Sequence, residues 1–102
     1  MKLMSFEFSE DYKTYIKSPQ WKAKCSRYWA LYGRKCQACG SRKNLHVHHN
    51  TYERFKREHM SDLTGVCHDC HRRIHQQHRA NRRVSLKLVT YNFVKAMRNK
   101  KL

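Results

Sequence analysis

Two rhythms of apolar residues run along this chain, and the change between them marks its parts. From Ser9 to Tyr32 the apolar positions recur every three or four residues: Tyr12, Tyr15 and Ile16, then Trp21, Cys25, Tyr28, Trp29 and Tyr32. That spacing lines one face of a helix. Ser9-Glu10-Asp11 offers a cap for a first helix that stops near Ser18. Ser18 followed by Pro19 starts a second helix, which Gly33 ends. Its aromatic stripe is read as core rather than as a platform for stacking bases. From Asn44 to His49 the period drops to two, with Leu45 and Val47 on one side and His46 and His48 on the other, as in a half-buried strand. Residues 50–61 are polar, without a period, and read as a loop. Leu63 to Val66 suits a second short strand. From Cys70 onward His71, Ile74, His75 and His78 return to helical spacing. Val84 to Leu102 has a mixed pattern read mainly as helix, either packed back on the rest or forming a dimer face.

The order of elements gives a single α+β domain over residues 1–102. It divides into a helical N-terminal region (1–35), a strand–loop–strand–helix core (36–78) and a C-terminal tail (79–102). At 102 residues the chain buries only a modest core, and chains of this size often need a metal or disulfide staple. No apolar run is long enough to span a bilayer. Met1 to Glu10 carries Glu7 and Glu10 and does not read as a secretory signal.

Charge narrows the field of partners. Lys and Arg number 23 against 7 Asp and Glu, a formal net charge of +16, which favours polyanions, nucleic acid first among them. An acidic membrane surface is the rival, but no segment has the amphipathic, Trp-flanked character of a membrane-surface helix. The lysines and arginines in and just after the second helix (Lys22, Lys24, Arg27, Arg34, Lys35) and of the tail (Arg79, Arg82, Arg83, Lys87, Lys95, Arg98, Lys100, Lys101) are candidates for contacts to a nucleic-acid backbone.

The chemistry concentrates between residues 36 and 75. Cys36-Gln-Ala-Cys39-Gly40 and Cys67-His-Asp-Cys70 are two Cys-x-x-Cys pairs, a donor set suited to one closed tetrahedral zinc site. Four paired cysteines of five suit a reduced, intracellular and cytoplasmic setting better than a disulfide framework. Cys25, the fifth, falls on the apolar face of the second helix and reads as a small buried hydrophobe. His71 and His75, at i and i+4, project from one helix face and can share a metal. A histidine of the neighbouring strand completes a three-ligand site with open positions. His48 and His49 are the candidates; as adjacent strand residues they point to opposite sides. One is therefore expected to bind metal while the other handles a proton.

These motifs resemble the HNH endonuclease family in its zinc-stapled form, common among phage and bacterial proteins. The resemblance rests on the cysteine pairs, His48-His49, Tyr52, Glu58, Asp62-Leu63, Cys67-x-x-Cys70-His71 and His75. It extends upstream to Tyr12-x-x-Tyr15-Ile-x-Ser18-x-x-Trp21, covering about residues 12 to 75. It implies a ββα-metal core with a zinc knuckle and metal-dependent hydrolysis of DNA phosphodiester bonds, by nicking or double-strand cleavage. His49 would be the general base. His48, His71 and His75 would hold the catalytic cation (Mg²⁺, Mn²⁺, Ni²⁺ or Zn²⁺), and Cys36, Cys39, Cys67 and Cys70 the structural Zn²⁺. Asp62 stands where the family's asparagine falls and is counted as catalytic, either fixing the loop or approaching the metal. Lys56 stands where this branch often has glycine. Tyr52, Arg54, Lys56, Arg57, Arg72 and Arg73 are candidate DNA contacts. Glu58 is expected either to orient a ligand histidine or to form a surface ion pair. The competing readings are a non-catalytic zinc module that binds nucleic acid and a subunit of a larger phage packaging or restriction assembly; a homodimer is a further expected association.

Overall fold

Each helix begins where a side chain can take up the free backbone N–H groups of its first turn. A computed structural model of the chain describes residues 9–100; the expectations for Met1 to Phe8 and for Lys101 and Leu102 lie outside the described residues. Helix α1 (Glu10–Tyr15) starts at Ser9, whose Oγ accepts from the Tyr12 N–H at 3.1 Å. Helix α2 (Pro19–Tyr32) starts at Ser18, which accepts from the Trp21 N–H at 3.1 Å, and ends at Gly33 with φ of 87°. A side chain is rarely found at that φ, and glycine is the ordinary solution.

Strand β1 (Leu45–His49) pairs antiparallel with strand β2 (Leu63–Cys67), placing Leu45 opposite Cys67, Val47 opposite Gly65 and His49 opposite Leu63. A 3₁₀ turn (Met60–Asp62) leads into β2. Helix α3 (His68–Ala80) follows it directly. It starts earlier than the apolar spacing suggests, because Cys67 acts as the cap: its Sγ accepts from the Cys70 N–H at 3.4 Å. Helix α4 (Leu86–Asn99) is capped by Ser85. The described residues form a small α+β domain with a two-stranded sheet and four α-helices.

The hairpin separates two apolar clusters. On one side Tyr15, Trp21, Tyr28 and Leu63 pack with Val47, Phe55 and Met60, so α1 and α2 cover that face. On the other, Val66, Ile74, Leu86, Val89 and Phe93 pack around the cysteines, so α3 and α4 cover the opposite face. Val66 and Ile74 are fully buried, each contributing about 1.5–3 kcal/mol relative to an exposed side chain. The tail therefore packs back on the domain. Arg98 fastens it, Nε donating to the Gln37 carbonyl at 2.8 Å. Among the described residues no helix is long and apolar enough to cross a membrane.

Candidate metal centre and neighbouring histidine

The four paired cysteines converge where the Cys36–Cys39 turn meets the β2–α3 junction. Their sulfurs lie within 4.8 Å of one another, and none forms a disulfide. The turn is tied to the sheet by the Gln37 N–H, which donates to the Gly65 carbonyl at 2.8 Å. Two sulfurs bound to one tetrahedral zinc at about 2.3 Å lie about 3.8 Å apart; Cys39 Sγ and Cys67 Sγ are 3.8 Å apart. Burial pushes the Cys70 thiol well up, with Cys67 and Cys36 adding to the effect. Burial acts likewise on Cys36, but the N–H groups of Cys39, Cys67 and Ala38 outweigh it and bring that thiol down to about 7. Sulfurs this close resist ionising together, and a divalent cation removes that resistance. The cluster is compatible with a structural zinc site.

The second convergence uses β1 and α3. His48, His71 and His75 each bring one ring nitrogen within 4.8 Å of the others. His71 Nε2 and His75 Nε2 are 3.2 Å apart, close to the roughly 3.3 Å between two nitrogens held by one tetrahedral ion at about 2.0–2.1 Å. His48 Nε2 is engaged by Thr90 Oγ1 at 2.9 Å, which leaves Nδ1 as the ring nitrogen open to a cation; it is buried and has no hydrogen-bond partner. Burial and the neighbouring rings push His48 well below the ordinary histidine range. Burial and His75 push His71 down to about 3. Neutral imidazoles are the form that binds metal. This donor set fits a divalent cation.

His49 points the other way, as strand parity requires. Its Nε2 lies 2.6 Å from Glu58 Oε2, with both side chains at most 1% exposed. Glu58 Oε1 accepts from Lys24 Nζ at 2.7 Å and from Tyr15 Oη at 2.8 Å. Burial alone would raise the Glu58 carboxyl; the bonds from Lys24, His49 and Tyr15 outweigh it and hold it down to about 2. For His49 burial wins over the attraction of Glu58, so its pKa is lowered. The ring is therefore neutral at pH 7, with Nε2–H donating to an ionised carboxylate and a lone pair on Nδ1. That Nδ1 is buried and unbonded. One face of the ring stacks with Trp21 at 4.6 Å and 17°, and Tyr52 is stacked with it at 5.3 Å and 25°. Tyr12 adds an edge contact at 5.8 Å.

The remaining expected site residues are mostly committed to other partners. Asp62 is 1% exposed. Its carboxylate accepts from Arg54 Nε at 2.8 Å and from the His59 N–H at 2.9 Å, and Arg54 above all holds its pKa down. It ties together the 50–62 loop and is not part of either metal-capable cluster among the described residues. Arg54 is correspondingly engaged within the loop. Lys56 pairs with Asp11 at 2.8 Å, Arg72 with Asp69 at 2.7 Å, and the Arg73 guanidinium lies 5.2 Å from the Phe93 ring centre. Tyr52 packs beside His49. Arg57 is exposed. Glu58 orients His49 rather than a metal ligand and is far too buried for a surface ion pair. Sequence reasoning missed Thr90 and the stacking role of Trp21, of which only Trp21 carried a signal, its place in the upstream motif; Lys24, expected to contact a nucleic-acid backbone, is instead committed to Glu58.

Compared with protein-family models, curated proteins and solved structures, the chain matches none of them.

Proposed function

We propose that this protein is a metal-dependent DNA endonuclease of the HNH type. The observation that carries the reading is the pairing of two differently equipped histidines on one strand. His48 joins His71 and His75 around a common point, while His49, next to it, is held neutral against an ionised Glu58 with its other nitrogen unbonded. A binding module needs no proton acceptor beside a cation site. The sequence resemblance to the HNH family supports the same reading, with Cys36, Cys39, Cys67 and Cys70 holding a structural Zn²⁺.

The divalent cation, when bound by His48, His71 and His75, supplies positive charge for a phosphate oxygen and for the departing 3′ oxygen. His49 Nδ1 accepts a proton from the attacking water as the new phosphorus–oxygen bond forms and the bond to the 3′ oxygen breaks. Glu58, bonded to Nε2–H, stabilises the imidazolium that results, and Lys24 keeps Glu58 ionised. Because Nδ1 is buried beside Tyr12 and Tyr52, the reaction requires that this aromatic cover move aside. A groove of about 580 Å³ between α2, β2 and α4 carries Lys87 and Lys95 beside Tyr32 and Tyr91, suited to a polyanion with exposed rings.

That same cover favours a second reading, a non-catalytic zinc module that binds nucleic acid. Supercoiled plasmid separates the two. With Mg²⁺, Mn²⁺, Ni²⁺ or Zn²⁺ the wild type is expected to yield nicked or linear product, and His49→Ala to lower the rate about 10²–10⁴-fold while still retarding DNA in a gel. Retardation by the wild type without cleavage under any of these metals overturns the nuclease reading.

A further inference from the structure

Helix α4 lies beyond the stretch that carries the cysteine and histidine motifs, yet it sends one polar side chain to the candidate metal centre. Thr90 is 2% exposed and shares its helix face with Leu86, Val89 and Phe93. A hydroxyl at that depth needs hydrogen-bond partners, and Thr90 has two. Oγ1 donates to the Leu86 carbonyl at 2.8 Å, the usual bond of a helical threonine to the preceding turn. A hydroxyl has one proton to give. The contact with His48 Nε2 at 2.9 Å therefore runs the other way, with Nε2–H donating to Oγ1. A neutral imidazole carries one N–H, so the lone pair sits on Nδ1, the nitrogen that is buried without a partner.

We infer that Thr90 is a positioning residue for His48: it selects the tautomer that presents Nδ1 to the cation shared with His71 and His75. The inference rests on the proposed metal site but not on DNA cleavage. It gives the tail a role that its charge does not suggest, since the register of α4 on the core then sets the orientation of a ligand. That register is held at two further points. Phe93 lies beneath the Arg73 guanidinium of α3, and Arg98 bonds both the carbonyl and the side chain of Gln37 inside the cysteine turn, at 2.8 and 2.6 Å.

The test uses the full chain with its zinc. Ni²⁺ is titrated calorimetrically into wild type, Thr90→Val and Thr90→Ser, with His71→Ala as the blank for other histidines. Long-range ¹⁵N–¹H spectra report the His48 tautomer without added Ni²⁺. Thr90→Val, which keeps the shape and loses the acceptor, is expected to weaken the site about 10–100-fold and to lose the pure Nε2–H signature. Thr90→Ser should restore both, which a role in packing alone would not do. Wild-type affinity in folded Thr90→Val overturns the inference, and so does an Nδ1–H His48 in the wild type, a measurement that needs no variant to fold. Failure of the wild type to take up Ni²⁺ beyond the His71→Ala blank overturns it together with the metal-dependent reading. Ni²⁺ uptake with the expected Thr90 effects but no plasmid cleavage sustains it and overturns the nuclease alone.

Discussion

At the scale of single residues, the two adjacent histidines show how a partner on one ring nitrogen decides what the other can do. Thr90 takes the Nε2–H of His48 and Glu58 takes that of His49, so both rings offer Nδ1. The Glu58 half of this arrangement has a consequence for stability. Its carboxyl is held at about 2 against an ordinary 4.5, so the folded state binds its proton later than the unfolded state. The contribution is present in full above about pH 4.5 and is lost as pH falls from there toward about 2. A shift of that size corresponds to about 3 kcal/mol. Glu58→Gln is expected to lower urea-denaturation stability at pH 7 by roughly that amount. The gap to wild type should be nearly the same at pH 6 and narrower by about 0.8 kcal/mol at pH 4. A gap that stays constant to pH 4 would mean that the carboxyl is not depressed. Lys56 supplies a smaller lesson: its φ of 72° lies in the left-handed region, a conformation that glycine adopts without the steric cost a side chain brings.

Among the elements, Gly65 decides how closely α2 can lie on the hairpin. A Cβ on Gly65 would come within 2.5 Å of the Trp29 ring and 2.9 Å of the Tyr28 ring, and its N–H donates to Tyr28 Oη at 2.8 Å. Gly65→Ala must push α2 away or strain both aromatics, at a cost of about 1–3 kcal/mol. The check is thermal melting, with Thr64→Ala on the other face of β2 as the control; an unchanged midpoint for Gly65→Ala would show that the contact yields easily. The elements themselves were legible in the sequence because their signals are local: Ser9, Ser18-Pro19 and Gly33 act within a few residues, and the alternation of Leu45, His46, Val47 and His48 fixes which face each takes. The start of α3 was misjudged because Cys67 caps with a sulfur, a role hidden by its place in the cysteine pair. The cysteine cluster and the pairing of His71 with His75 were legible from spacing, which left His48 and His49 both open as the third member; only the resemblance named His48. Contacts made at long range were not: Glu58 reaches Lys24 on α2, and Thr90 reaches a strand far earlier in the chain, and no periodicity announces either. The bond between Asp62 and Arg54 was likewise illegible, since Arg54 was expected to face outward and its side chain turns into the loop.

For the molecule as a whole, the question is what holds together a small chain with a formal net charge of +16 and two apolar clusters on either side of a two-stranded sheet. A lone hairpin is marginal in water, and each cluster here contains only a handful of buried side chains. The excess positive charge adds self-repulsion that opposes compaction. The four cysteines sit where the N-terminal half meets β2 and α3, and Ala38, Val66, Ile74 and Phe93 pack in the cluster around them. Four ionised sulfurs around a Zn²⁺ would cancel part of the surplus and join segments distant in sequence, with a free energy of binding that is also a free energy of folding. A strong chelator is therefore expected to abolish the cooperative thermal transition and most of the helical circular dichroism, and re-addition of one equivalent of Zn²⁺ to restore them. Cys67→Ser should do the same without chelator, since Cys67 is both a sulfur of the cluster and the cap of α3. His71→Ala, by contrast, should leave the transition in place while removing the second metal. The two sites are thereby assigned separate work, and a chelated protein that still melted cooperatively at its original midpoint would show that the apolar clusters suffice alone.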